Sequence, residues 1–593
     1  MTKAKALKQE KKQREKIWLP FVKFYTRFKT PWWLFIGAAL GSILYTEMSL
    51  QLAEYTISIN IGELYNSVIL GYVGWTLAMA LITIVYNMMS AYGGGIVTLR
   101  ARNLIWGKIV RLPATAFDTE QPSSFISRIT SDVPQASTTI TYICLFVSSI
   151  YSFVRAFITL FLYDVPLTLW LLLVIPAAVG VFWAVGKTQY YSYKKIYAAI
   201  NRMTTFFSEH LATMKHTKAQ VMEEEEIQAG YAEIEKRYRS DVFYGIMVAV
   251  QVTLNSIYTK IAFIILVLAG KKRIDSGAME STGIATASTY LDYVQKYLAE
   301  ILTQYQTIKG VQGVIGRVAD LAETPVEETK RISSMPEECR DLVLSDVSFS
   351  YPTGAEVLHH LSVTIPAGKK TAVVGENGCG KSTLFKLLMR FYEPTSGEIY
   401  YGEDKASDIH LDEWRVSFGY VLQNSPILSG TIRDNIVYGC RGEVSEERII
   451  EAAKIANAYD FIMEFPEGFD KDVGEGGMHL SGGQRQRIAI ARAVIADPKI
   501  LLMDEATASL DIQSNRLVWE ATEKLMEGRT TILIAHDMHA VTDADNIIVL
   551  NRGEVEAFGT HEEVMASSGT YRHFVELQSS AEVRNGTEAV DGI

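Results

Sequence analysis

The sequence predicts a multidomain protein in which an all-α transmembrane domain of six helices is followed by an α/β P-loop nucleotide-binding domain. Three observations support this prediction. The chain has 593 residues, which is too long for one compact core. Its apolar residues, 48% of the total, are concentrated before about residue 310, and charged residues dominate afterwards. From about residue 330 the pattern changes to alternating strands and helices, and one strand leads into a glycine-rich loop.

The composition argues against some functions. The formal net charge is −10 and no basic domain or stripe accompanies it, so nucleic acid is not an expected partner. The cysteines Cys144, Cys339, Cys379 and Cys440 are scattered, which suggests neither a disulfide framework nor a zinc site. Cys379 lies inside the glycine-rich loop, where a thiol indicates a reducing, cytosolic setting.

Residues 1–30 are predicted to form a basic cytoplasmic tail and an interfacial elbow helix. Lysines and arginines are frequent up to Lys16, and the stretch 17–28 mixes aromatic residues with cations, which suits a helix at the membrane interface. No short apolar stretch with a cleavage site follows the tail directly, so the pattern is not that of a secretory signal. The cations suit the cytoplasmic side of a membrane.

The predicted transmembrane domain, residues 31–320, contains six stretches near the ~20 residues that a bilayer requires. They are 32–57, 67–92, 138–163, 165–186, 242–269 and 281–309. The sixth is the weakest because it contains Asp292, Lys296 and Glu300. We retain it because an even number of spans places both the basic tail and the nucleotide-binding domain in the cytosol.

Two long basic loops, after the second and the fourth span, are predicted to be cytoplasmic, and the short loops to face outward. The charge rule has one exception, since Lys271, Lys272 and Arg273 fall in the predicted third outer loop. Beyond the spans we expect a linker at 321–340, the nucleotide-binding domain at 341–580 and a disordered tail at 581–593.

The glycine-rich loop lies between a predicted strand at 370–374 and a predicted helix that begins at Ser382. Its glycines let backbone N–H groups converge on phosphate oxygens, and the helix N-terminus adds its dipole. Lys381 would bridge the β- and γ-phosphates of ATP, and Ser382 would hold Mg²⁺. The predicted nucleotide ligands in this loop are Gly375, Asn377, Gly378, Cys379, Gly380, Lys381, Ser382 and Thr383.

Two carboxylates follow a predicted apolar strand at 500–503. Asp504 would orient the Mg²⁺ shell, and Glu505 would polarise the attacking water. The alternative is a strand that merely ends in surface acids. The phosphate-binding loop earlier in the chain favours the catalytic interpretation.

Leu480-Ser481-Gly482-Gly483-Gln484 is the signature of the ATP-binding cassette (ABC) family, and residues 341–578 resemble that family's cassette throughout. The resemblance implies that Tyr351 stacks on adenine, that Gln423 reaches the metal and that His536 holds the γ-phosphate. The implied nucleotide ligands beyond the loop are Tyr351, Ser481, Gly482, Gly483, Gln484 and Asp511. The implied catalytic residues are Glu505, His536 and Gln423, and the implied metal ligands are Ser382, Gln423 and Asp504.

The first long loop resembles that of export-type (type IV) members of the family. Phe117-Asp118 and the run 127–133 fit their first coupling region. The chain therefore resembles a half-transporter, with one membrane domain fused to one cassette, like bacterial multidrug, lipid and peptide exporters. In this family the signature closes over the nucleotide held by the other subunit. Because Glu505, His536 and the whole signature are present, a homodimer is the simpler interpretation and a heterodimer the alternative.

The resemblance implies ATP-driven export across the cytoplasmic membrane by alternating access, with amphipathic small molecules or drugs as the first candidate cargo. Peptides come second, although only about 30 residues precede the first span and no leader-cleaving protease domain is expected there. Lipids come third. Some relatives with this architecture import metal chelates, and an ATP-gated channel or its regulatory subunit would use the same fold. The predicted spans argue against a soluble ABC ATPase.

Charged residues inside the spans leave two interpretations open. Outside the sixth span they are Glu47, Glu54, Arg155 and Lys260. In the sixth span Asp292, Lys296 and Glu300 are four residues apart and share one helical face. These groups indicate either a polar translocation path or ion pairs that stabilise the helices.

Overall fold

The computed structural model divides the chain into two compact units. The residues that it describes are 25–26, 29–60, 66–120, 122–172, 175–280, 282–327, 333–352, 354, 356–422, 426–504, 512–535 and 538–576. One unit lies within Met1–Leu112 and Glu120–Val326, and the other within Pro113–Thr119 and Glu327–Ile593. The predicted basic tail, most of the elbow helix and the tail at 581–593 lie outside the described residues.

The first unit is built from helices. In chain order the helices up to residue 326 are α1 (Trp32–Asn60), α2 (Asn66–Ile109), α3 (Thr115–Thr119), α4 (Pro122–Ser127), α5 (Val133–Tyr163), α6 (Val165–Leu172), α7 (Ile175–Ala212), α8 (Met214–Ala219), α9 (Glu223–Asp275) and α10 (Gly283–Glu323). Of these, α3 belongs to the second unit. The described residues of all six predicted spans fall almost entirely on helix, the fourth on α6 and α7. The predicted all-α class of this domain is confirmed.

Four helical segments among the described residues are long and apolar enough to cross a membrane. They are Trp32–Ala53, Asn66–Ile109, Pro122–Tyr163 and Glu223–Asp275. The sixth predicted span forms the helix α10, which is not among these four and carries Asp292, Lys296 and Glu300 within that span. Ala156, Ala262 and Ala287, each at most 1% exposed, lie in one buried cluster with side chains of α5, α6, α9 and α10. Such small residues let membrane helices approach closely.

The cations at 271–273 do not lie in an outer loop, because α9 continues to Asp275. Nη2 of Arg273 is 3.2 Å from Oδ2 of Asp164, the residue that precedes α6. Oδ1 of Asp164 accepts a hydrogen bond from the backbone N–H of Leu167 at 2.9 Å. For Arg273 the exception to the charge rule therefore has a structural reason, since it pairs with a buried acid between two predicted spans.

Glu47 and Arg155 pair with each other between α1 and α5. Nε of Arg155 lies 3.1 Å from Oε1 of Glu47, and the hydroxyl of Tyr151 donates to the same oxygen at 2.8 Å. For these two groups the ion-pair interpretation holds. The side chain of Glu54 lies outside the described residues.

A π-helical turn at Arg128–Asp132 lies in the predicted first coupling region and leads into α5. Arg317 of α10 donates from Nε and Nη2 to the two carboxylate oxygens of Asp132, both at 2.9 Å. A bidentate pair of this kind fixes the geometry of both partners. It joins the last helix of the first unit to the start of α5.

The second unit is α/β, as predicted. Its strands are β1 (Leu342–Ser350), β2 (Glu356–Ile365), β3 (Lys370–Val374), β4 (Ser396–Tyr401), β5 (Asp404–Lys405), β6 (Phe418–Val421), β7 (Ile500–Asp504), β8 (Thr530–Ile534), β9 (Asn546–Asn551) and β10 (Glu554–Gly559). Its remaining helices are α11 (Lys381–Leu388), α12 (Leu411–Val416), α13 (Ile432–Ile436), α14 (Glu446–Ile455), α15 (Tyr459–Met463), α16 (Gly482–Ala496), α17 (Ile512–Met526), α18 (Met538–Thr542) and α19 (His561–Ser567).

Two sheets organise this unit. One is antiparallel, with the order β2-β1-β4-β5. The other has the order β10-β9-β3-β8-β7-β6 and is parallel from β9 to β6. Its central strands are continuous apolar runs because both faces are covered, and Val373, Leu502 and Ile532 are fully buried. Since parallel strands end at the same edge, the segments that follow β3, β7 and β8 all begin there.

Candidate active site

The glycine-rich loop joins β3 to α11. Gly375 has φ +155° and Gly380 has φ +109°, conformations that other residues rarely adopt. A Cβ at Gly375 would lie 2.1 Å from the carbonyl oxygen of Leu550, and one at Gly380 would lie 2.4 Å from Cδ2 of Leu358. Both positions therefore require glycine, and the loop backbone can approach a phosphate group without obstruction from Cβ atoms.

Lys381 opens α11, and its side chain folds over the loop. Nζ donates to the carbonyl oxygens of Gly375 at 2.7 Å and Glu376 at 3.1 Å. Ser382 follows in the first turn of the helix and is exposed. The structure thus places a cation, a hydroxyl and a helix N-terminus together, a combination suited to an anionic ligand.

The thiol of Cys379 is buried within the same loop, with 6% of the residue exposed. Burial raises the pKa of this thiol, and the neighbouring Lys381 ammonium partly opposes that effect. The thiol is therefore mainly protonated near neutral pH and reacts slowly, because the thiolate is the nucleophile.

We expect N-ethylmaleimide to inactivate ATP hydrolysis by alkylating Cys379, with a rate that rises with pH because deprotonation supplies the thiolate. ATP should protect the thiol by covering the loop. The measurement is the inactivation rate between pH 7 and pH 9, with and without ATP. A Cys379→Ser variant should resist, and equal inactivation of that variant would place the sensitive thiol elsewhere.

The carboxyl edge of the parallel sheet carries Asp504, the last residue of β7. Asp504 pairs in register with Ile534 of β8. Ile534 pairs on its other side with Val373, the second-last residue of β3. Tyr420 of β6 lies close enough to sense this carboxylate: burial and then Asp504 raise the pKa of its hydroxyl to about 12. Asp504 therefore lies at the sheet edge from which the glycine-rich loop starts.

Four predicted site residues lie outside the described residues: Gln423, Glu505, Asp511 and His536. Two of them come next in the chain after Asp504 and Ala535. Asp504 ends β7 and Ala535 follows β8, and these neighbouring parallel strands end at the same sheet edge. The roles of all four remain predictions.

Tyr351, the predicted adenine-stacking residue, belongs to an aromatic cluster beside the loop. Its hydroxyl is 3.1 Å from Oγ1 of Thr383, and its ring centroid is 4.9 Å from that of Phe349 and 5.3 Å from that of Tyr392. Nζ of Lys386 lies 5.5 Å from the Tyr351 ring centroid and 5.8 Å from that of Tyr392. The cluster is anchored on α11, the helix that begins at the phosphate-binding loop.

Sequence reasoning missed Tyr392 and Lys386, which connect this cluster to Asp118. The hydroxyl of Tyr392 donates to Oδ2 of Asp118 at 2.6 Å, and Nζ of Lys386 is 3.8 Å from the same oxygen. Burial, followed by the Asp118 carboxylate, raises the pKa of the Tyr392 hydroxyl, so this group stays a proton donor at physiological pH. Asp118 lies on α3, in the predicted first coupling region.

We expect Tyr392→Phe to leave ATP binding nearly unchanged and to reduce the stimulation of ATP hydrolysis by cargo. The substitution keeps the aromatic cluster but removes the hydrogen bond to Asp118, so the dissociation constant of ATP should change by less than about twofold. Cargo stimulation of ATP hydrolysis should fall at least about fivefold, the lower end of typical coupling energies. Tyr400→Phe, on β4, is the matched control. Unchanged stimulation in Tyr392→Phe would assign the hydrogen bond a purely structural role.

The predicted signature forms the N-terminus of α16. The Ser481 hydroxyl accepts from the backbone N–H of Gln484 at 3.3 Å, and Oε1 of Gln484 accepts from the backbone N–H of Ser481 at 2.8 Å. This reciprocal capping box stabilises the first turn. Ser481 and Gly482 are exposed, so the N-terminus of a 15-residue helix is open to an anion.

Comparisons with known proteins agree with this geometry. The model of the ABC transporter transmembrane region matches residues 32–298, and the ABC transporter model matches residues 358–508. An uncharacterized ABC transporter ATP-binding protein of Bacillus subtilis, YfiC, is 34% identical over 81% of this chain and 80% of its own length. A multidrug resistance ABC transporter ATP-binding and permease protein of Lactococcus lactis subsp. cremoris is 29% identical over 94% and 95%.

Two further relatives matter for the interpretation. A mitochondrial potassium channel ATP-binding subunit of Xenopus tropicalis is 33% identical over 85% of this chain and 74% of its own length. The solved structure of a bacterial Atm1-family ABC exporter with ATP bound has a TM-score of 0.81 and covers 92% of this chain and 97% of that one. Its sequence identity of 23% makes it evidence for the fold.

The chain belongs to the ABC transporter family. It is an export-type half-transporter, in which one membrane domain is followed by one ATP-binding cassette. It is therefore a multi-pass membrane protein that uses ATP and couples its hydrolysis to export. Because one cassette supplies only half of each composite site, the half-transporter fold implies a dimer.

Proposed function

We propose that the chain works as a homodimer that exports amphipathic small molecules across the cytoplasmic membrane. The observation that carries this proposal is that one chain presents both the glycine-rich loop and the signature at the N-termini of helices. The phosphate-binding loop opens α11, and the capped signature opens α16. Two copies placed head to tail could therefore supply two complete sites. The name of the Lactococcus relative supports drugs as cargo.

The proposed chemistry divides among a few groups. Lys381 and the loop N–H groups hold the ATP phosphates, while Tyr351 stacks on adenine. Oxygen donors of Ser382 and Asp504 suit Mg²⁺, which would neutralise charge on the transferring phosphate. Glu505 accepts a proton from the attacking water, and His536 and Gln423 position the γ-phosphate and the water. Ser481, the signature glycines and Asp511 contact the nucleotide held by the partner.

We also propose that the cassette and the N-terminus are cytoplasmic. The basic residues of the two long loops after the second and fourth predicted spans support this orientation through the positive-inside rule. Asp118 on α3 supports it as well, because its contact with Tyr392 associates the first of these loops with the cassette unit.

The test is ATP hydrolysis by the purified chain alone in lipid nanodiscs, with panels of drugs, peptides and lipids. We expect robust hydrolysis, a mass of two chains per disc and stimulation by amphipathic drugs. ATP binding without hydrolysis would contradict the homodimer and favour an obligatory second half-transporter. A regulatory role, suggested by the name of the Xenopus relative, predicts ion flux and little cargo stimulation.

A further inference from the structure

Helix α10 exposes a polar face although it lies in a predicted membrane span. Its exposed positions include Ala285, Asp292, Lys296 and Thr303, which are seven, four and seven residues apart and so share one side of the helix. Charged groups in contact with hydrocarbon are costly and usually face water, cargo or protein. This face is therefore unsuited to lipid.

The contrast with α2 supports this assignment. Large apolar residues are prominent among its exposed positions, with Leu70, Leu77 and Met88 at 71%, 67% and 66% exposure. Both helices belong to the same unit, but their exposed faces differ in polarity. The α2 face fits lipid chains, and the α10 face fits a polar path.

The charges on α10 do not form a ladder among the described residues. Asp292 and Lys296 are one helical turn apart, yet no ion pair joins them. Asp292 has no hydrogen bond or ion pair within the described part of the chain. Glu300, by contrast, accepts a hydrogen bond from the Ser149 hydroxyl of α5 at 3.4 Å. Asp292 also interacts electrostatically with Lys260 of α9, and Glu300 with Lys296, but no contact of ion-pair length joins either pair among the described residues. The exposed carboxylate of Asp292 is thus available to a ligand.

The direct contacts of the Lys296 ammonium group are with aromatic rings, and Glu300 acts on it from beyond ion-pair distance. Nζ of Lys296 lies 5.5 Å from the ring centroid of Tyr45 on α1 and 5.4 Å from that of Tyr297. The Tyr45 ring in turn packs edge-on against Tyr86 of α2, with centroids 6.5 Å apart. Side chains from α1, α2 and α10 therefore build an aromatic wall around an exposed ammonium group. Such walls accommodate the apolar body of an amphiphile.

Resting on the proposed export function, we propose that the polar face of α10 binds zwitterionic amphiphiles, with the cationic group of the cargo at Asp292 and its anionic group at Lys296. The two Cα atoms are separated by about 6 Å along the helix, at 1.5 Å per residue. A small molecule with an amine and a carboxylate on an apolar body matches this spacing and the tyrosine wall.

Charge balance favours a zwitterion over a simple cation or anion. When the site closes around cargo, any charge left without a partner pays the full desolvation cost. A cation would satisfy Asp292 and leave Lys296 without an acid at contact distance, since Glu300 acts on it only from farther away. An anion would leave Asp292 without a cation at contact distance, since the same is true of Lys260. Only a cargo that carries both charges satisfies both side chains.

Trileucine and its blocked derivatives test this inference. They share one apolar body and differ in charge: free termini, N-acetyl, C-amide, and both ends blocked. We would measure their equilibrium binding to the full chain in nanodiscs without ATP. Free trileucine should bind best, and each single block should weaken binding at least about tenfold through loss of one charge pair.

Two variants assign the ends of the ligand. Asp292→Asn should abolish the difference between free and N-acetylated trileucine and keep the difference caused by the C-amide. Lys296→Gln should show the opposite pattern. Asp275→Asn, at the end of α9, removes one exposed acid elsewhere and should behave like the unmodified chain. General loss of structure would not produce these opposite effects in the two variants.

Several outcomes would overturn the inference. Equal binding of all four peptides would exclude charge recognition. If tetraphenylphosphonium binds better than the peptides, and binds more tightly still to Lys296→Gln, the site is selective for cations. The proposed export of drugs would still stand. Loss of dimer mass in Asp292→Asn would assign the face to the second copy. Because binding is measured without ATP, an inactive single chain would contradict the homodimer without affecting this test.

Discussion

Glu505→Gln should lower ATP turnover by a factor of about 10²–10⁴, the usual contribution of a positioned general base, while ATP still binds. Glutamine keeps the size of the side chain but cannot accept a proton from water. Hydrolysis should stop after nucleotide has closed the two cassettes. The closed dimer should then accumulate, because hydrolysis resets the transporter in the proposed cycle.

The measurements are steady-state phosphate release and the amount of unhydrolysed ATP that stays bound to the complex in the presence of Mg²⁺. Glu527→Gln, an exposed acid in the same unit, is the control for loss of charge and should retain normal turnover. Near-normal turnover in Glu505→Gln would refute the assignment of Glu505 as the base. The proposal would then need another proton acceptor at the sheet edge that carries Asp504.

Lys381→Ala should raise the dissociation constant of ATP by about 10- to 100-fold, the range expected for one or two charge-assisted hydrogen bonds. Nζ donates a hydrogen bond to the Gly375 carbonyl oxygen at 2.7 Å. It can therefore exchange this internal acceptor for a phosphate oxygen. The loop should keep its conformation in the variant, because Gly375 and Gly380 determine its path.

Equilibrium binding of a fluorescent ATP analogue would measure this effect, with ADP and AMP as competitors. The loss should be largest for ATP and smallest for AMP, because Lys381 is proposed to contact the outer phosphates. Lys386→Ala, one helical turn later on α11, is the matched control and should reduce the affinities for all three nucleotides similarly if it acts through Tyr351. Normal ATP affinity in Lys381→Ala would show that the loop does not bind phosphate as proposed.

Local sequence patterns predicted the elements of the cassette well. The loop at 375–382 depends on glycines and on the strand and helix beside it, all within residues 370–388. The Ser481–Gln484 capping box is likewise a local arrangement. Apolar runs predicted β3, β7 and β8 because strands buried on both faces need no alternation. These features are decided by neighbours along the chain, so the sequence alone carries them.

Contacts between distant segments were not predictable in this way. Asp118 and Tyr392 are 274 residues apart, and no local pattern around Tyr392 indicates its partner. Similarly, the cations at 271–273 seemed to contradict the charge rule until Arg273 was found against Asp164. Only folding brings such groups together.

The amino-acid sequence by itself determined the class of protein, the order of its two domains and the predicted nucleotide-binding motifs. It did not decide what the charges of α10 do, because spacing by four residues suits an ion-pair ladder and a binding face equally. The tertiary structure supplies the surroundings of these charges by placing Tyr45 of α1 beside Lys296 and leaving Asp292 exposed, and the proposed binding face is based on these contacts. The physical reason is that charge pairing depends on which groups the other helices bring within reach, and that is set by packing between helices.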